Sequence, residues 1–205
     1  FLAWLGMVFS LSSKGDHGLL ESARYAMFQT ASIGTSTGYA SADYAAWPSL
    51  SLLILLFLMI VGASAGSTSG GLKILRLKIA YEIVRQEIGR IVQPRSVRSI
   101  RLNGEVVPLS KVQVVLGMLS AWAVSAVVGT TLIAIFEPNL DLESVLSLSL
   151  SCLGNTGPAL GTYGPTATWA SMNAPTMLIT TLMMWLGRLE ILTVLVVFNP
   201  RAWRL

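Results

Sequence analysis

Charged side chains are scarce in this chain: Asp, Glu, Lys and Arg make up 12% of its 205 residues, about half the share usual in a soluble domain. Four stretches carry no charge at all, 25–42, 44–72, 112–136 and 144–187. Crossing a hydrocarbon core takes roughly 20 apolar residues, and three of the four stretches are longer than that. With 53% apolar residues and a mean hydropathy of +0.66, the composition excludes an ordinary soluble domain and a disordered chain. It is the composition of an integral membrane protein.

Other absences narrow the chemistry. Cys152 is the single cysteine, so an internal disulfide and a cysteine metal cluster are both excluded. His17 is the single histidine, which excludes a His-rich metal site and leaves a solvated loop residue. No nucleophile–base pair, metal cluster or cofactor motif is present, so neither an enzyme nor a cofactor is expected. Residues 62–71 are rich in glycine and precede Lys73, as in a phosphate loop. However, Leu72 and Ile74 flank that lysine, where the motif requires Gly-Lys-Ser/Thr. A membrane enzyme would also need an inward cluster of titratable groups, and only Glu190 is available for one.

The few charges are sorted by segment. Nine of the 14 basic residues lie between Lys73 and Lys111, and Arg201 and Arg204 follow near the end. The positive-inside rule places both segments in the cytoplasm. Residues 12–44 and 137–143 carry Asp16, Glu21, Asp43, Glu137, Asp141 and Glu143 against Lys14 and Arg24, so they are expected outside. Bases concentrated in the cytoplasmic segments argue for contact with anionic lipid heads rather than for binding nucleic acid. The chain begins Phe-Leu-Ala-Trp, without a starting Met or a basic n-region, so residues 1–13 are not read as a signal peptide. They read as the end of a membrane helix, and the chain as a fragment or processed half.

The pattern along the chain repeats. A helix end and turn lead to a half-length helix over 19–33, then to Gly34-Thr35-Ser36-Thr37-Gly38-Tyr39, which is poor helix sequence. After Trp47 and Pro48 a long run returns into the membrane. One helix over 48–79 would measure about 48 Å, too long for a core of roughly 30 Å, so a break is expected at the glycine-rich 62–71. Such backbone is tolerated at depth only where protein buries it or it lines a wet cavity. Residues 80–111 follow as a basic connector, with a helix over 82–92 and a hairpin around Asn103-Gly104. Then the plan recurs: a full span over 112–136, a short helix over 141–152, Gly154-Asn155-Thr156-Gly157-Pro158, an outer loop with Trp169, and a returning span over 174–198. Gly38 matches Gly157 at an offset of 119, and Gly62 matches Gly187 at 125, so the second outer loop holds six extra residues.

A half-helix followed by an extended segment, used twice, is the plan of cation-channel pore loops. The inward C-terminal end of each half-helix carries negative partial charge. The small residues after it can turn carbonyl oxygens towards an axis, and glycine at 38 and 157 allows the positive φ this needs. Arg188 is the sharpest single residue, because an intramembrane charge defaults to a cavity or a partner. Glu190 stands about 200° from it round a helix and suits a structural partner on another helix.

Five stretches in order resemble the bacterial Trk/Ktr potassium-uptake family, TrkH type. They are Thr35–Tyr39, Gly66-Ser67-Thr68-Ser69-Gly70-Gly71-Leu72-Lys73, Gln93-Pro94-Arg95, Asn155–Pro158 with Gly161, and Gly187-Arg188-Leu189-Glu190-Ile191. The resemblance implies an all-α integral membrane protein built of repeated helix–pore-loop–helix units of a potassium-channel-like pore. It makes the chain the C-terminal half of the pore-forming subunit. Residues 1–79 would be the third unit, 80–111 the cytoplasmic connector and 112–205 the fourth. The filter holding potassium would draw on Thr35, Ser36, Thr37 and Gly38, and on Gly154, Asn155, Thr156 and Gly157. An intramembrane gating loop would include Gly62, Gly66, Ser67, Thr68, Gly70 and Gly71, facing a pore-hindering Arg188. At Gly154 and Thr156 the chain departs from the residue types common in the family.

The resemblance also implies partners: membrane lipid, the other two repeats of the pore, a second copy in a homodimer, and a cytosolic ring of nucleotide-binding regulatory subunits. The location would be the bacterial inner membrane, multi-pass, with a cytoplasmic C-terminus. The competing expectations are a pore-less scaffold subunit and a less selective Na+/K+ transporter.

Overall fold

The computed structural model describes residues 1–14, 18–62, 64, 67, 70–93, 100–102, 105–189, 191–197 and 203. The expectations on Asp16, His17, Gly66, Thr68, Glu190, Arg201 and Arg204, and on the Asn103-Gly104 turn, lie outside these residues.

The architecture is two triads of helices joined by a peripheral helix. In the first triad, α1 (Leu2–Lys14) and α3 (Ser49–Ile60) flank the half-length α2 (Leu19–Gly34). Their shared core includes Met7, Ala26, Ile33, Leu55 and Met59. In the second, α5 (Leu109–Phe136) and α7 (Ala174–Arg188) flank α6 (Leu142–Gly154), around Ile133, Val145, Leu148, Cys152 and Met183. The 28 residues of α5 make about 42 Å of helix. Among the described residues it is the one helix long and apolar enough to cross a membrane by itself. The 13 residues of α6 reach about 20 Å and stop midway.

The half-helices stop for local reasons. Asp141 caps the start of α6, its carboxylate accepting from the Ser144 backbone N–H at 3.4 Å and from Ser144 Oγ at 2.6 Å. At the far end the chain leaves helical geometry at Asn155, with φ 50° and ψ 39°.

The expected break in the 48–79 stretch occurs, and it starts early. After Ile60 the residues Val61–Gly62 (β1) pair in parallel with Leu72–Lys73 (β2), in the register Val61–Leu72 and Gly62–Lys73. This clasp closes the glycine-rich loop at its base. Helix α4 (Ile74–Val92) then begins at once and passes position 80 without interruption. The expected start of helix at 82 is therefore corrected to 74, because Leu, Arg, Lys, Ile and Ala from 74 to 80 sustain a helix. A short antiparallel pair, Arg101–Leu102 (β3) with Glu105–Val106 (β4), follows where the hairpin was expected.

The returning span over 174–198, read from sequence as interrupted by Arg188 and Glu190, consists of two helices. α7 ends at Arg188, and a separate α8 (Ile191–Val197) follows. The backbone departs where Gly187 lies against the Leu153 carbonyl of α6. That contact comes from another element; the local signal in the sequence was the interruption of the apolar run by Arg188 and Glu190.

The outer loops weld the triads together. Tyr44 is fully buried and its hydroxyl donates to the Ala159 carbonyl at 3.3 Å, across 115 residues of chain. Burial first, and the nearby Asp43 carboxylate second, push the Tyr44 phenol well above its usual range, so it remains a donor at any physiological pH. Leu160, beside Ala159, buries itself in the core of the first triad. Serines on α6 hold this loop from below: Ser147 Oγ accepts from Leu160 N and Ser144 Oγ from Thr162 N, both at 2.9 Å. Tyr44→Phe is expected to lower stability by about 1 kcal/mol, the net value of one hydrogen bond. A melting curve of the solubilised intact protein, followed by tryptophan fluorescence, checks it.

Candidate functional site

The segments following α2 and α6 share one backbone conformation, residue for residue. Ser36 and Asn155, 119 positions apart, are the two non-glycine residues with positive φ among the described residues, at 55° and 50°. Their N–H groups bond back to Ile33 O at 3.0 Å and to Cys152 O at 3.2 Å. At the next position Thr37 N bonds to Ser32 O at 2.9 Å, and Thr156 N to Ser151 O at 3.1 Å. One residue further, Gly38 and Gly157 have φ of 80° and 101°, a region open to glycine and strained for other residues.

The return paths agree as well, at an offset of 125. Asp43 caps a single 3-10 turn by accepting from Ala45 N at 3.0 Å, and Thr168 caps another by accepting from Ala170 N at 3.3 Å. Helices α3 and α7 begin at the matched positions 49 and 174. The six extra residues therefore fall between Gly157 and Thr168, in the loop that carries Ala159, Leu160 and the turn Gly161–Tyr163.

The two segments touch. A Cβ at Gly38 would overlap the Thr156 carbonyl oxygen. Thr156 is consequently buried, with its hydroxyl 2.9 Å from Ser151 Oγ, whereas Thr35 and Thr37 are exposed and share a hydroxyl–hydroxyl bond of 2.7 Å. Gly157 faces open space, with nothing within 4 Å of where a methyl group on its Cα would stand. Asn155 Nδ2 is buried without a hydrogen-bond acceptor among the described residues.

The glycine-rich loop lies beneath. Gly70 presses on the Gly154 carbonyl so closely that a Cβ would overlap it, and Gly154 has the same relation to the Met59 carbonyl at the end of α3. This explains the glycine at 154: α3 and the loop meet there. Ser67 closes a small turn, its N–H and its hydroxyl both 3.0 Å from Ser64 O.

Ser67 and Gly71 line a cleft of about 230 Å³ together with Gly187 and Arg188. Gly62 sits at the clasp, and Arg188 at the last turn of α7 is exposed. The expected loop and the expected arginine thus share one cavity. Lys73, Arg76 and Trp122 of α5 also line it, a place that the sequence reading gave to none of them. The spacing of Lys73 and Arg76, one turn apart, was the available signal; Trp122 gave none.

Comparison with known proteins gives one consistent picture. A family model described as a cation transport protein, TrkH, matches residues 15–204. The Trk system potassium uptake protein TrkH of Salmonella typhimurium is 34% identical over 92% of this chain and 39% of its own length. The TrkH of Halomonas elongata is 32% identical over 100% of this chain and 42% of its own. The crystal structure of the potassium transporter TrkH from Vibrio parahaemolyticus matches with a TM-score of 0.89 and 31% identity, covering 98% of this chain and 42% of that one. The chain therefore spans about two-fifths of the length of these relatives.

The paired glycines are separable by experiment. Gly157→Ala places a side chain in strained backbone with free space around it, at a cost of about 1–2 kcal/mol. Gly38→Ala meets the same strain and also the Thr156 carbonyl. The melting temperature of the intact protein is expected to fall for both variants, and for Gly38→Ala by more than backbone strain alone would give.

Proposed function

The chain belongs to the TrkH cation transport protein family, and on that footing we propose that it is the C-terminal half of a potassium-translocating pore, its third and fourth helix–pore-loop–helix units. It is an all-α integral membrane chain with the potassium-channel-like repeat, and its proposed role is passage of an ion rather than catalysis.

One observation carries the proposal: the contact between the two segments is directional. Gly38 of the first unit meets the Thr156 carbonyl of the second. Repeating that step from the second unit onward gives Gly157 a carbonyl from a further unit, and gives Thr37 a glycine from the unit before. Both positions are exposed here. Head-to-tail contacts of this kind close into rings when the rotation permits, and two such units leave a half-ring awaiting two more. In that ring Thr35–Gly38 and Gly154–Gly157 would turn their carbonyls to the axis as half of a filter, replacing the hydration shell of potassium. The C-terminal ends of α2 and α6 would add negative potential at mid-membrane.

Residues 62–71 would gate the path below, since Gly70 rests on Gly154 directly under the filter segment. Arg188, sharing its cleft with Ser67 and Gly71, would place a positive charge in the cation path while the loop is closed. Arg76 and Lys73 in the same cleft add to that barrier. The basic residues between 73 and 111 support a cytoplasmic face for that side, a bacterial inner-membrane location and a cytoplasmic C-terminus. The same basic face suits docking of a cytosolic nucleotide-binding ring, and homodimerisation is proposed on family grounds.

Two experiments on the intact transporter bear on this. Rubidium soaked into crystals should give anomalous density on an axis beside 35–38 and 154–157; an empty axis in the intact assembly would favour a scaffold. Arg188→Ala should raise rubidium uptake at matched expression by about tenfold, the effect of removing about 1.4 kcal/mol of barrier, while Arg188→Lys stays near wild type. Unchanged uptake in Arg188→Ala would remove the arginine from the pore.

A further inference from the structure

Asn155 carries a longer side chain than its backbone position requires. Its φ of 50° is repeated at the matched Ser36, at 55°, so a residue as short as serine suits the left-handed turn after a half-helix. The amide of Asn155 reaches two other elements. A Cβ on Gly70 would stand 2.9 Å from the Asn155 Cβ, and a Cβ on Gly187 would stand 2.8 Å from its Nδ2. The side chain therefore lies between the glycine-rich loop and the last turn of α7, where the next residue is Arg188.

The amide is enclosed but not satisfied. Nδ2 is buried and has no acceptor among the described residues, and a buried N–H without a partner carries a desolvation cost that a bonded one recovers. With Gly70 seated on the Gly154 carbonyl, loop main chain covers one side of the Asn155 side chain and Gly187 the other. Lifting the loop uncovers the first side. It also joins the amide to the cleft of about 230 Å³ that Gly187 lines together with Ser67 and Gly71 of the loop. An acceptor, a loop carbonyl or water, then comes within reach of Nδ2, and seating the loop removes it again.

We infer that Asn155 is a positioning residue for the gate: its amide disfavours the seated loop by about the worth of one hydrogen bond, so the filter segment that carries Asn155 biases the loop beneath it towards opening. The inference rests on the reading of residues 62–71 as the gate. It gives the side chain at 155 a role separate from that of the backbone carbonyls of Gly154–Gly157.

The test measures rubidium uptake by the full-length transporter at matched expression. Gly70→Ala, whose methyl group would overlap the Gly154 carbonyl, keeps the loop from seating and should raise uptake; deletion of residues 67–69 serves if the alanine variant does not fold. Asn155→Ser installs the residue type found at the matched position and keeps the left-handed turn. It should lower uptake about fivefold, the effect of one hydrogen bond. Combined with Gly70→Ala, the same substitution should have no effect, because the seated state that it favours is no longer reached. Such non-additivity marks two groups acting on one step, whereas a general weakening of the filter would persist in the double variant. Wild-type uptake in Asn155→Ser, or a fivefold loss that persists beside Gly70→Ala, overturns the inference and leaves the gate reading standing. Failure of both loop variants to raise uptake overturns the gate reading and the inference with it.

Discussion

Three close backbone contacts at the C-terminal end of α6 hold this structure together. Gly187 lies on the Leu153 carbonyl, Gly70 on the Gly154 carbonyl and Gly38 on the Thr156 carbonyl, each near enough that a Cβ would overlap the oxygen. The last carbonyls of a helix lack intrahelical partners, and in a membrane such groups must be enclosed by protein or reach a polar cavity. Here the end of one half-helix is surrounded by three other segments: the returning helix, the glycine-rich loop and the neighbouring extended segment. Glycine at each contact is what lets main chain approach main chain.

From that point outward, the two triads are alike where conformation matters and different where they meet each other. Ser36 and Asn155 share left-handed geometry without sharing a side chain. Asp43 and Thr168 cap matched turns with a carboxylate in one case and a hydroxyl in the other. The six additional residues of the second outer loop break the symmetry, and their Leu160 and Ala159 dock on the first triad through Tyr44. The resulting pair has a buried joint between the units and exposed surfaces at both ends.

The basic region divides its work between two cavities that share Lys73 and Arg76. One is lined by Arg188, Ser67 and Gly71; the other is lined by the first turns of α4 and α5 and by the β3–β4 pair. Since α4 starts directly after the β1–β2 clasp, any force on its first turn is passed to the loop within two residues. The two cavities are therefore adjacent, although Lys111 and Arg188 belong to different elements.

Sequence alone determined that the chain spans a membrane, because hydropathy and charge spacing are properties of segments and need no partner. It also determined the two-fold plan, the half-length helices, a break in the 48–79 stretch near its glycine-rich part and the place of the extra residues, since glycine, proline and charge mark such points locally. Family resemblance was legible for the same reason: its motifs are contiguous. Only the tertiary structure decided which carbonyl each glycine approaches, that α7 stops at Arg188, and that Arg188 shares a cavity with Ser67, Lys73, Arg76 and Trp122. Those facts depend on contacts between elements distant in the chain, where one backbone displaces another, and no period or spacing within a single segment encodes them.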